Sequence, residues 1–323
     1  IHQISSNKNL IMKANYLERV EIDVLEEPQL DFKYYVNPIQ KENELKPKKK
    51  ETLNVLSLFS GCGGMDLGFE GGFSVLKSSV NEKLTPSFID KKLNNGFVLL
   101  KKTKFKTVFA NDILKDARNA WVNHFMKKGR EADLFYSQSI VDLVKLHQSG
   151  IDVFPKDIDV VTGGFPCQDF SIAGKRNGFN SHKNHNGKLI DEVTPTEETR
   201  GQLYMWMKQV IEITKPKIFI AENVKGLVNL ENVKEIIQND FSSAGENGYI
   251  VLNPRVLHSA NYGVPQSRER VIFIGIKKSE LTKSALLELE KETISDEYNP
   301  YPKPTHSYTA KGENLKKFVE LNE

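Results

Sequence analysis

The chain has 323 residues, 39% of them apolar, with 45 Lys and Arg against 42 Asp and Glu for a formal charge of +3. That length and apolar share provide for a sizeable buried core and exclude a disordered chain. The near-balanced charge leaves nucleic acid open as a partner without requiring it.

Two cysteines, Cys62 and Cys167, stand in different contexts, and neither a signal peptide nor an apolar run long enough to span a bilayer is present. The expectation is a reduced, cytoplasmic protein with no membrane partner. The first residue is Ile1 rather than Met, which leaves the natural start open.

Residues 1–50 mix short apolar stretches with charge and end in Lys46-Pro47-Lys48-Lys49-Lys50, the composition of an N-terminal extension and Lys-rich linker. From Leu53 onward, apolar β-type runs alternate with helical patterns. Leu53 to Phe59, Thr107 to Ala110, Ile158 to Thr162, Ile218 to Ala221 and Val271 to Ile276 read as buried strands. Asp112 to Met126 and Leu203 to Thr214 read as helices, the first placing Ile113, Ala117, Trp121 and Phe125 near one face. Such alternation predicts an α/β fold with a doubly wound, mostly parallel sheet.

Two stretches break the rhythm. Residues 77–106 hold eight lysines against two acidic residues, which predicts a solvated, Lys-rich insertion, with contact to DNA phosphates as the alternative. Residues 177–200, rich in Asn, His, Lys and Thr, predict a long loop of the kind that covers active sites. His182 and His185 lie in it with no cysteine pair nearby, so no metal is expected.

Four constellations carry chemistry. In Phe59-Ser60-Gly61-Cys62-Gly63-Gly64 a strand runs into a glycine-rich turn and then a helix. Glycines let backbone approach a ligand, and Phe59 offers a face for a base. The spacing departs from the dinucleotide fingerprint, so S-adenosylmethionine fits better than NAD. An acidic residue for ribose hydroxyls is expected roughly 20 residues on. Asp112 follows Phe59 by 53 residues, or 23 once the thirty-residue insertion is set aside.

The second constellation is Gly163-Gly164-Phe165-Pro166-Cys167-Gln168, where a buried strand delivers a cysteine at its carboxyl end and proline stiffens the turn. Polar and glycine neighbours argue against a structural core cysteine, and a thiolate there is a competent carbon nucleophile. In the third, Ile218 to Val224, an apolar strand ends in Glu222, with Asn223 expected to fix its orientation. In the fourth, Gln266, Arg268 and Arg270 alternate onto one side, two cations able to hold a phosphate or brace Glu222.

At these residues the chain resembles the DNA (cytosine-5)-methyltransferase family, over roughly Leu53 to Ile276. The resemblance implies a Rossmann-like class I S-adenosylmethionine-dependent methyltransferase fold over residues 51–276, with a catalytic loop at 167–200. By position it implies that Phe59 stacks near the adenine, Asp112 binds ribose, and Leu203, in the block Arg200-Gly201-Gln202-Leu203, lines the pocket. Ser60, Gly61, Cys62, Gly63, Gly64, Ile113, Ile140, Gly164 and Pro166 complete the implied cofactor site; Cys62 itself is read as packing. The resemblance further implies that Cys167 attacks the base, that Glu222 contacts its N3 edge, that Arg268 helps position cytosine and that Arg270 supports the site.

Cytosine C5 is a poor nucleophile until a thiolate adds at C6, and C6 is reached only when the base leaves the duplex. The implied reaction is thus C5 methylation of a flipped-out cytosine in double-stranded DNA, yielding S-adenosylhomocysteine, by resemblance within a restriction-modification system. Gln168, Ser171, Lys175 and Arg200 are the implied DNA contacts.

Departures matter too. Where the family usually has an acidic residue for the adenine amine, this chain reads Gln138-Ser139-Ile140, leaving Ser139 or a neighbour to take the role. The family's target-recognition region and two later blocks do not appear in residues 277–323. Pro302 to His306 resembles the lead-in to that region, so 277–323 is read as a tail leading toward it. The expectation is the catalytic subunit of a split enzyme whose second polypeptide supplies recognition, or a truncated product. A tRNA cytosine-5 methyltransferase is the near alternative, without that branch's Cys-Phe-Thr signature; a decayed DNA-binding subunit is the other, against which the retained Cys167, Glu222, Arg268 and Arg270 argue.

Overall fold

In a computed structural model of the chain, the described residues are 51–126, 132–166, 203–229, 232–246, 248–312 and 314–320. The expected extension, and in the catalytic loop Cys167, Gln168, Ser171, Lys175, His182, His185 and Arg200, lie outside them.

The core strand β1, Leu53–Leu58, is apolar enough to be buried over its last four residues. It pairs in parallel with β5, Phe105–Asn111, on one side and with β7, Val160–Gly163, on the other. A two-residue strand β6, Phe135–Tyr136, extends the sheet past β5, and β8, Ile218–Val224, extends it past β7, both in parallel. Beyond β8 the direction reverses, because β11, Glu269–Lys277, runs antiparallel to β8. β11 pairs in turn with β9, Tyr249–Val251, and β10, Arg255–His258, giving the order β10-β11-β8-β7-β1-β5-β6.

The crossovers are helical. They comprise α1 (Gly64–Glu70), α2 (Lys115–Met126), α3 (Ile140–Gln148), α4 (Leu203–Thr214) and α5 (Val233–Ser242). The last four bury a stripe each, such as Trp121 and Phe125 on α2 or Met207, Val210 and Ile211 on α4. Successive strand residues face opposite sides of a sheet. Accordingly Phe109 joins the main core with Leu56, Met207, Phe219, Phe241 and Phe273, while its neighbour Ala110 joins Trp121, Phe125 and Phe135. No helix among the described residues is long and apolar enough to cross a membrane.

In the fold itself, three stretches depart from the sequence reading. Ile113 precedes α2 and is 39% exposed, so it leaves the buried Trp121-Phe125 face to helical residues only. The lysine-rich insertion is not a mere excursion. β2 (Ser74–Leu76), β3 (Ile89–Lys92) and β4 (Phe97–Leu100) form a three-stranded antiparallel sheet, in the order β2-β4-β3, with Val98 fully buried. Residues past 276 pack back. A short helix α6, Lys283–Leu289, brings Leu289, and the chain beyond it Tyr301, onto Leu252 and Ile274, covering the face of β11 opposite Phe273. Farther on, β12 (His306–Ser307) and β13 (Lys316–Lys317) pair in parallel.

Candidate active site

The carboxyl ends of β1, β5, β7 and β8 form one edge, and the start of antiparallel β11 meets the end of β8 there. Open α/β sheets bind ligands at such an edge.

After β1 the backbone turns with Phe59 at φ 50°, Gly61 at 55° and Gly63 at 85°. Gly63 is obligatory on two counts: its φ is left-handed, and an added Cβ would stand 2.6 Å from Trp121 Cδ1. Trp121 is itself held, its indole Nε1 donating to Asp66 Oδ2 at 2.7 Å. Burial pushes the Asp66 carboxyl up to about 6 despite the Ser57 and Trp121 hydrogen bonds, with Glu70 adding to the rise. The turn is also bound to the neighbouring strand. Gly61 N donates to Asp112 Oδ2 at 2.9 Å, Ser60 N to Asn111 O at 2.8 Å, and Asn111 N to Ser60 Oγ at 3.1 Å. Cys62 is exposed there rather than packed, because the turn projects it away from the core.

These residues fit a nucleoside sulfonium. Among the described residues nothing lies within 4 Å of where a Cβ would stand at Gly61 or Gly64, so the turn has room for a ligand there. Asp112 retains lone pairs for hydroxyls beyond the bonds it accepts from Gly61 N and Leu114 N. At the third strand end, Ser139 caps α3, its hydroxyl accepting from Val141 N at 3.3 Å. Its neighbour Gln138 has the free group: Oε1 is buried with no partner among the described residues. Asn111 Nδ2 fixes that segment by donating to Tyr136 O and Gln138 O at 2.9 and 2.7 Å. Ile140 and Leu203, expected along the pocket, are the first residues of α3 and α4 and are buried in the main core.

The second half of the site is ionic. Glu222 Oε1 receives Arg270 Nε at 2.7 Å and stands 3.7 Å from Arg268 Nη2. Burial raises the Glu222 carboxyl above its ordinary range, while Arg270 and then Arg268 pull it back. Its Oε2 borders Gly164, where a Cβ would come within 3.1 Å. The segment entering Cys167 therefore runs beside the carboxylate. Asn223 does not orient Glu222 as expected: facing the other side of β8, its Nδ2 donates to Phe165 O at 3.3 Å and its Oδ1 accepts from Val224 N. It fastens the loop instead. Pro166, half-buried, closes the described part of that segment.

Strand order, reversed last pair and glycine turn define a Rossmann-like class I methyltransferase fold. Residues 53–321 match the family model for C-5 cytosine-specific DNA methylases, and the chain belongs to that family. It is 35% identical over 262 residues to the type II methyltransferase M.BsuRI of Bacillus subtilis, covering 80% of this chain and 48% of that protein. To M.BspRI of Lysinibacillus sphaericus it is 33% identical over 282 residues, covering 85% and 52%. A solved structure of a Spodoptera frugiperda DNMT2 variant aligns at TM-score 0.43 and 18% identity, over 82% of this chain and 61% of that one. The chain thus spans about half the length of the relatives it matches.

Proposed function

We propose that this chain methylates C5 of a flipped-out cytosine in double-stranded DNA, as the modification component of a restriction-modification system. The observation that carries the reading is the Glu222 carboxylate, gripped by Arg270 and Arg268 beside the Gly164 segment that leads into Cys167. S-adenosylmethionine, when bound, supplies an electrophilic methyl group. Phe59, the open glycine turn and Asp112 hold its nucleoside, and the orphan Gln138 Oε1 accepts from its adenine amine.

The thiolate of Cys167 adds to C6, forming a C–S bond and placing electron density on C5. Glu222 donates a hydrogen bond or proton to N3, a role favoured by its raised pKa. C5 takes the methyl group; loss of the C5 proton to a base or water then expels Cys167 and restores the aromatic ring. Gln168, Ser171, Lys175 and Arg200 contact the DNA around the flipped nucleotide, and a second polypeptide supplying target recognition belongs to the same proposal.

The test is a duplex carrying 5-fluorocytosine, incubated with methyl donor in the presence and absence of the candidate second polypeptide. Fluorine cannot leave as a proton would, so the Cys167 adduct persists and survives denaturing electrophoresis. Expected is an adduct that disappears in Cys167→Ser. No adduct under any condition would refute the proposal.

A further inference from the structure

The insertion is left unexplained by methyl transfer. All eight of its lysines are exposed, against only Glu82 and Asp90 as acidic residues. Among the described residues, the one ion pair these lysines make is Lys92 to Glu82 at 3.2 Å. A field of one sign with so little internal neutralisation is matched by an anionic partner.

Its root is fixed to residues 305–316 and to the turn that precedes Arg268. His306 and Asn81 are 0% and 2% exposed. His306 Nε2 bonds Ser78 O at 2.9 Å, and Asn81 Nδ2 donates to Thr305 O at 2.8 Å and Asn314 O at 2.6 Å. Lys316 Nζ adds a bond to Val80 O at 2.7 Å, and Thr305 N donates to Asn261 O at 2.8 Å. Gly263 lies so close to Ser79 that a Cβ added there would overlap its carbonyl oxygen. Arg268 follows Gly263 by five positions, a reach of at most about 18 Å. That is about five base-pair rises of duplex.

We propose that the exposed lysines of residues 77–106 form a second DNA-binding surface, gripping the sugar-phosphate backbone that flanks the cytosine held at Glu222. The inference rests on the methyltransferase reading. Lysine offers point charges to phosphate without reading bases, so this surface adds affinity and register but no sequence choice. Exposed Leu84, Phe88, Leu93 and Phe97 lie on the same module and would suit a protein partner. The preponderance of unneutralised lysine and the short span to Arg268 favour DNA.

The measurement is the salt dependence of duplex binding by the full chain, wild type against Lys83→Gln/Lys91→Gln/Lys101→Gln/Lys104→Gln. Unchanged S-adenosylhomocysteine affinity and thermal midpoint certify the variant's fold; the Lys91→Gln/Lys104→Gln pair replaces it if the quadruple variant fails to fold. Each phosphate that is no longer neutralised lowers the slope of log K against log[salt] by about 0.9, so a drop of roughly 2 to 4 is expected for the quadruple variant and 1 to 2 for the pair. A slope unchanged within about half a unit overturns the inference. If the wild type still forms the Cys167 adduct, that failure leaves the methyltransferase reading standing. A wild type that neither binds duplex at low salt nor forms an adduct overturns both. Lysines that serve a protein surface instead give the unchanged slope.

Discussion

Arg270 Nε lies 2.7 Å from Glu222 Oε1, while Arg268 Nη2 stands 3.7 Å from the same oxygen. The pair is unequal, and so are its consequences. Arg270→Leu removes the larger lowering influence and should push the Glu222 carboxyl further up than Arg268→Leu does. A folded-state pKa above the unfolded value gives stability that is present at low pH and lost as pH rises through the folded value. Arg270→Leu should therefore be destabilised by about 2 kcal/mol, below the cost of breaking a fully buried pair, and more at pH 8 than at pH 5. Carbon-13 titration of Glu222 and urea melts at both pH values check this.

Asp66 gives a cleaner pH signature. Its carboxyl titrates near 6 when folded against an ordinary 3.8, so the folded state binds the extra proton between those values. Stability from this group is full below about pH 4 and falls as pH rises to 6 and beyond, by up to about 3 kcal/mol. Asp66→Asn keeps an acceptor for the Trp121 indole and cannot ionise. The difference between wild type and variant in urea midpoint should grow from pH 4 to pH 7, with the variant the more stable at neutral pH. A constant difference across that range would count against a buried, titrating Asp66.

Gly63→Ala tests the turn. The added methyl meets Trp121 Cδ1 at 2.6 Å and Phe125 Cε2 at 2.7 Å while the backbone sits at φ 85°. Overpacking and left-handed strain together should cost roughly 2–4 kcal/mol. Thermal denaturation measures that loss, and calorimetry with S-adenosylhomocysteine should show weakened binding at a temperature where the variant remains folded.

Gln138→Leu separates Gln138 from Ser139. Because Gln138 Oε1 has no partner among the described residues, its removal breaks no internal hydrogen bond of that atom, and the fold should hold. Affinity for S-adenosylhomocysteine should fall about tenfold, the worth of one hydrogen bond of about 1.4 kcal/mol. Ser139→Ala should instead lower stability by about 1 kcal/mol through the lost helix cap.

The strand-end chemistry is legible in the sequence because apolar runs stop abruptly at charged or glycine residues. The run from Ile218 to Ala221 ends on Glu222, and Leu203 to Thr214 is helical as the spacing predicts. What escapes depends on partners remote in sequence. Asp66 and Trp121 are 55 residues apart, and nothing local marks either as the other's partner. Asn223 reads as the companion of Glu222, although adjacent strand residues face opposite sides. Gln138 stands in the stretch read for the adenine amine, but which of its residues is free depends on the fold, where Ser139 is used as a helix cap and Gln138 Oε1 is buried without a partner among the described residues. The insertion hides its strands because Lys91, Lys92, Lys101 and Lys102 obscure alternation, leaving Val98 as the buried residue of its small sheet.

The reversed strand has a kinetic consequence. Residues 270–276 of β11 pair one for one with 224 down to 218 of β8, so Glu222 and Arg270 hang from a single continuous ladder. Separating them requires unzipping backbone hydrogen bonds in the interior of the sheet, where Val271 and Phe273 are fully buried, rather than swinging a hinge. Amides of such strands exchange with solvent only through large-scale opening. The carboxylate and its cations thus share the lifetime of the folded sheet, and amide exchange at Asn223 and Val271 should be as slow as any in the chain.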